Sequence, residues 1–114
     1  MCVPVERGTS SYIQRGGIEM TAIIKNPGQP AFTRQVENTL AAFQQLVGGH
    51  IEAVYLPGQI IMIVNEEGKL IGLPPNFRLN YDTIVGTAVF VSADGEEFAG
   101  LSEQQENYIR RMLP

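Results

Sequence analysis

Few side chains here are equipped for covalent or metal chemistry. The sequence holds one histidine, His50, and one cysteine, Cys2. No H-x-x-H, C-x-x-C or E-x-x-H spacing occurs, so a zinc site of the usual kind has no ligand set. The carboxylates Glu52, Glu66, Glu67 and Asp82 are the remaining acid–base candidates. Glu52 would need the fold to bring it to Glu66 or Asp82. Glu66 and Glu67 with Asp82 could hold Mg²⁺ through one or two carboxylates, yet an E-E-G tip reads more simply as a solvated hairpin turn. His50 directly follows Gly48-Gly49 at the start of a strand, where a structural or exposed role is simpler than partnership with a nucleophile. Neither G-x-x-x-x-G-K-[ST] nor G-x-G-x-x-G is present, and Gly48-Gly49 follows a helix instead of preceding one, the wrong polarity for a phosphate. We therefore expect no catalytic residue, no cofactor and no resident metal.

One stretch does carry a binding inventory. Between Asn65 and Asp82 lie two cations (Lys69, Arg78), three amides (Asn65, Asn76, Asn80), two aromatics (Phe77, Tyr81) and the carboxylate of Asp82, with Pro74-Pro75 stiffening the approach. Two cations can meet a diphosphate, amides can pair with ribose or base edges, and an aromatic can stack on a purine. The eight residues Asn65, Lys69, Asn76, Phe77, Arg78, Asn80, Tyr81 and Asp82 are the expected ligand-binding set. The competing reading is a polar loop whose Asn and Asp residues satisfy turns and whose aromatics plug the core.

The elements that position this stretch follow from periodicity. Gln59 to Val64 opens on an apolar run with no polar face, which suits a central strand covered on both sides. Glu66-Glu67-Gly68 is expected to turn it into a second strand, Lys69-Leu70-Ile71. Pro74-Pro75 lacks two ladder donors and must leave the sheet, and Asn76 to Thr83 reads as loop. Ile84 to Val91 is expected to be one further strand, with Gly86 marking a bulge or close packing. Ala93-Asp94-Gly95 signals a tight turn into Glu96–Ala99.

Upstream, Thr21–Asn26 and Phe32–Glu37 flank the turn residues Pro27-Gly28-Gln29-Pro30 and read as a hairpin. Asn38 is the expected N-cap of a helix carrying Leu40, Phe43, Leu46 and Val47 on one stripe and ending at Gly48-Gly49. His50–Leu56 is the next strand. At the C-terminal end, Ser102 and Gln105 fit a capping box, with Tyr108, Ile109, Met112 and Leu113 as the buried stripe and Arg110-Arg111 complementing the helix dipole. The expected fold class is α+β. It consists of one mostly antiparallel twisted sheet of about five to six strands with two helices packed on it, in the order ββαββββα. Residues 1–19 read as an N-terminal arm or tail, rich in Gly and Ser, and 20–114 as a single domain.

The bulk properties exclude several functions. A chain of 114 residues can bury a core without metal or disulfide staples. The net charge of −4 and the scattering of only eight Lys and Arg residues argue against nucleic acid. An unpaired cysteine fits a reducing compartment, and no apolar run approaches the ~20 residues needed to span a bilayer. Cytoplasmic localisation follows as the expectation, with no nucleic-acid or membrane partner.

Three strings, L-V-G-G-x-I-E at Leu46–Glu52, N-E-x-G-K-L-x-G-L-P-x-N at Asn65–Asn76 and I-V-G-T at Ile84–Thr87, resemble the uncharacterised family named domain of unknown function 3846. The resemblance covers Thr21 to the C-terminus and implies a small accessory protein of bacteriophages, plasmids or conjugative elements. It brings no catalytic residues. Together with the binding inventory, it leads to the expectation of a non-enzymatic protein that sequesters a nucleotide-derived small molecule, such as a host defence signal. A homo-oligomer would complete the pocket. The alternatives are a protein-binding inhibitor with an acidic surface and, last, a small hydrolase using Glu52 or Asp82.

Overall fold

The strand Ile60–Asn65 is buried at every position, and the rest of the chain is arranged to cover its two faces. The computed structural model describes residues 19–114. The arm expected over 1–19 therefore lies outside the described residues except for Glu19, and so does Cys2.

The elements run β1 (Glu19–Lys25), β2 (Phe32–Glu37), α1 (Leu40–Val47), β3 (Ile51–Leu56), β4 (Ile60–Asn65), β5 (Pro75–Leu79), β6 (Asp82–Val85), β7 (Ala88–Asp94), β8 (Glu97–Ala99) and α2 (Glu103–Met112). Six strands form one sheet in the order β2-β1-β7-β4-β3, with β8 also paired to β7, while β5 and β6 form a separate two-stranded sheet. All pairings among the described strands are antiparallel. The α+β class and the antiparallel sheet with two helices are thus as expected, and the two hairpins β1–β2 and β7–β8 form where turn chemistry places them.

Side chains alternate along β4, and each set has its own cover. Ile61 and Ile63 join Phe43 and Val47 of α1 in one cluster, with Ala22, Ile24, Val89 and Val91. Ile60, Met62 and Val64 join Phe77 and Ile84 of the small sheet and Ile109 and Leu113 of the C-terminal helix region in the other. The helices thus sit on opposite faces, and the β5–β6 hairpin shares its face with α2. Burying an Ile or Phe in this way stabilises by roughly 1.5–3 kcal/mol each, enough to hold an eight-residue helix that would not persist alone.

Several details depart from expectation. The N-cap of α1 is Thr39, whose Oγ1 accepts from Ala42 N–H, while Asn38 Nδ2 donates to the Phe98 carbonyl. The capping chemistry was one residue out because Asn38 has a tertiary partner. Lys69-Leu70-Ile71 is no strand; residues 66–72 wind as turns. Asn76 to Thr83 is no open loop but the hairpin β5–β6, with Leu79 opposite Asp82. Finally, the apolar run over Ile84–Val91 breaks at Gly86-Thr87 into β6 and β7. Gly86 has φ +73°, and a Cβ on it would stand 2.7 Å from Leu73 Cδ1. A side chain there would meet both backbone strain and a steric contact.

At α2 the capping box is present, with Ser102 Oγ accepting from Gln105 N–H and Gln105 Oε1 accepting from Ser102 N–H. Tyr108 departs from the buried stripe and is 40% exposed.

Candidate functional site

Asn65 ends β4 with its amide engaged at both atoms. Nδ2 donates to the Val47 carbonyl at 3.2 Å, and Oδ1 accepts from Glu67 N–H at 2.7 Å. The first bond satisfies a carbonyl at the end of α1, and the second folds the chain out of the sheet. Gly49 approaches so closely that a Cβ there would stand 2.8 Å from Asn65 Nδ2. The L-V-G-G and N-E-x-G strings therefore meet in space, and packing accounts for both.

Beyond Asn65, Ile71 N–H donates to the Glu67 carbonyl and Leu73 N–H to the Gly68 carbonyl, each at 3.0 Å. This winding projects Lys69 toward the hairpin, where its Nζ lies 2.5 Å from Asp82 Oδ1. The Lys69 hydrogen bond holds the Asp82 carboxyl below its ordinary value of 3.8; desolvation opposes it, and the Lys69 charge, Thr83 N–H and Arg78 add to the lowering. Both side chains remain more than half exposed, so the pair orients two loops more than it stabilises the fold.

Asn76 is also engaged internally. Its Nδ2 donates to the carbonyls of Lys25 and Gly86, both at 2.7 Å, and its Oδ1 accepts from Lys25 Nζ at 3.0 Å. Phe77 is buried with its ring centroid 6.3 Å from that of Phe90. Both groups are engaged within the fold. Asn80 and Tyr81 form the two-residue tip of the β5–β6 hairpin with φ of +51° and +70°, the geometry of a primed turn. Tyr81 stands 97% exposed there, and Arg78 is exposed on β5.

Of the eight sequence candidates, the fold thus brings Lys69 and Asp82 together at the surface with Arg78, Asn80 and Tyr81 on the same hairpin. It commits Asn65, Asn76 and Phe77 to holding that surface in place. A cleft of about 270 Å³ opens beside the ion pair, between β3, the 66–72 turn and β6. Val54, Val64 and Ile84 line it with Glu52, Glu66, Lys69, Leu70 and Asp82. Glu52, Glu66 and Asp82 therefore do share one cleft. No group of three or more His, Cys, Asp or Glu among the described residues is placed to hold a metal ion. A more open groove of about 430 Å³ between α1 and β2 holds none of the eight candidates.

The model of a domain of unknown function, DUF3846, matches residues 20–114. The chain belongs to the DUF3846 family. It matches no curated protein and no solved structure. Membership in DUF3846 assigns no activity, and in this member the residues that carry the family strings have visible structural tasks at Gly49, Asn65, Asn76 and Gly86. Among the described residues no helix is long and apolar enough to cross a membrane.

Two surface residues of this DUF3846 chain escaped the sequence reading. Leu70 and Ile71 lie on a turn instead of the expected strand and are 86% and 57% exposed. The signal was Gly68 and Gly72 on either side of Lys69-Leu70-Ile71, a spacing that favours a wound turn over a ladder.

Proposed function

We propose that this protein acts by binding, without turnover, through the surface formed by the 66–72 turn and the β5–β6 hairpin tip. The observation that carries the reading is the exposure of Leu70, Ile71 and Tyr81 on two loops joined by the Lys69–Asp82 ion pair. Large apolar side chains held in water by a rigid support have more to gain from a partner than from the free state. The mobile-element setting implied by the sequence resemblance gives such a surface a role: a small accessory protein that blocks a component of the bacterial host, with counter-defence as its purpose. The test is quantitative affinity capture from host lysate at low and high salt, using wild type and a Leu70→Asp, Tyr81→Asp double variant. A stoichiometric partner retained by wild type and lost by the variant supports the reading; equal retention by both contradicts it.

A second reading keeps the cleft as a pocket for a nucleotide-derived small molecule, sequestered and not converted. Its size of about 270 Å³ favours this, close to the lower range of small-molecule sites. Lys69 and Asp82 line the cleft, Arg78, Asn80 and Tyr81 stand on the adjoining hairpin outside its lining, and a second copy of the chain would close the open side. Against it stands the rim, where Glu52, Glu66 and Asp82 outnumber Lys69 and oppose a polyanion. Calorimetry with linear and cyclic ADP-ribose species and cyclic dinucleotides decides: micromolar binding by any of them restores this reading to first place, and silence from all removes it.

A further inference from the structure

Resting on the binding reading above, the geometry points to the partner's chemistry: a protein segment that offers an apolar recess edged by Lys or Arg. The three most exposed large apolar side chains among the described residues are Tyr81, Leu70 and Ile71, at 97%, 86% and 57%. Leu70 and Ile71 follow Lys69 on the turn, Tyr81 precedes Asp82 at the hairpin tip, and the two loops are joined where Lys69 Nζ meets Asp82 Oδ1 at 2.5 Å. The fold spaces these side chains rigidly. Asn65 pins the turn at its start, and Asn76 pins the hairpin at its base.

Around this apolar patch the charge is negative on balance. Glu66 and Glu67 lie on the same turn and are exposed, and Glu52 and Glu66 face Asp82 across the cleft. The two cations at this surface, Lys69 and Arg78, both act on Asp82: Lys69 pairs with it directly and Arg78 adds to the lowering of its pKa. A partner bearing carboxylates or phosphates would meet mostly like charge, whereas a Lys or Arg beside an apolar recess would find Glu52, Glu66, Glu67 and Asp82 outnumbering Lys69 and Arg78 among the described residues. The net charge of −4 over the chain adds long-range attraction of the same sign.

Selection from a random-peptide display library tests this, with the full chain as bait and the Leu70→Asp, Tyr81→Asp variant as counter-bait. The expected outcome is enrichment of peptides that couple a large apolar residue to Lys or Arg. Their affinity, measured by fluorescence anisotropy, should fall at least about tenfold for Leu70→Asp or Tyr81→Asp. It should also lose most of its salt dependence for Glu66→Gln with Asp82→Asn. Leu70→Ser and Tyr81→Ser, checked by circular dichroism, serve as second variants. Enriched peptides that need Leu70 and Tyr81 but carry no basic residue would overturn the partner's chemistry and leave the surface standing. No enrichment over the counter-bait would overturn the surface as well.

Discussion

Lys25 and Asn76 bond reciprocally: Lys25 Nζ donates to Asn76 Oδ1 at 3.0 Å, and Asn76 Nδ2 donates back to the Lys25 carbonyl at 2.7 Å. Lys25 is 4% exposed at the end of β1, and its Nζ also donates to the Asn26 carbonyl. Asn76 belongs to β5, so the pair ties the large sheet to the small one. With its second N–H on Gly86, the Asn76 side chain has both polar atoms engaged. The hairpin that carries Tyr81 is thereby fixed at its base by a clasp between sheets.

Asn76→Ala should therefore be costly. It removes one of the two acceptors of a buried ammonium and leaves the Lys25 and Gly86 carbonyls without that donor, each loss being worth about 1–3 kcal/mol. Urea denaturation should show a loss of about 2 kcal/mol or more, against about 0.5 kcal/mol or less for Arg78→Ala on the exposed side of the same strand. Equal stabilities for the two variants would contradict the clasp.

Gly49→Ala should act through Asn65. The added Cβ, 2.8 Å from Asn65 Nδ2, displaces the amide from the Val47 carbonyl, at a cost of about 1–2 kcal/mol. Asn65→Ala removes the same bond. A double-mutant cycle should accordingly be non-additive, the second substitution costing less once the first is present. Strict additivity would mean that the two residues do not share this contact.

Ile61→Asp and Ile63→Asp each place a charge at a position 1% or less exposed, with no counter-charge in the apolar cluster around it. Both variants should fail to give a cooperative thermal transition near the wild-type temperature. A soluble variant melting like wild type would remove β4 from the centre of the sheet.

The ion pair has a pH dependence of definite sign. Because the Asp82 pKa is lowered in the folded state, its contribution is fully present above the ordinary value of 3.8 and is lost as pH falls through the lower folded value. Carbon-detected NMR of the Asp82 carboxyl should titrate below 3.8 in wild type and move upward in Lys69→Met. Added salt should reduce the difference, since both side chains are exposed. An unchanged titration in Lys69→Met would show that the bridge does not form in solution.

The framework of this fold is legible in the sequence wherever one physical signal dominates. Ile60–Val64 has no polar face and is central; Phe43 and Val47 recur at helical spacing and are buried; Ser102 and Gln105 cap a helix. The site was harder to read because an amide looks the same whether it faces a ligand or a carbonyl of its own chain. Asn65 and Asn76 have partners 18 and 51 residues away, and no local pattern reveals such distances. Leu70 and Ile71 misled for the complementary reason: apolar types suggest burial, and only the flanking glycines argued for a turn. Lys25 was hidden in a β-branched strand, where a lysine ordinarily snorkels to water.

Amide chemical-shift mapping by NMR, with a peptide enriched on the wild-type chain or any nucleotide that binds it, tests the central claim most directly. Perturbations should concentrate on residues 66–72, on Leu79–Thr83 and on Glu52, with Leu70→Asp abolishing them. Perturbations centred on α1 and β2, with the 66–72 turn and the hairpin tip unmoved, would contradict it.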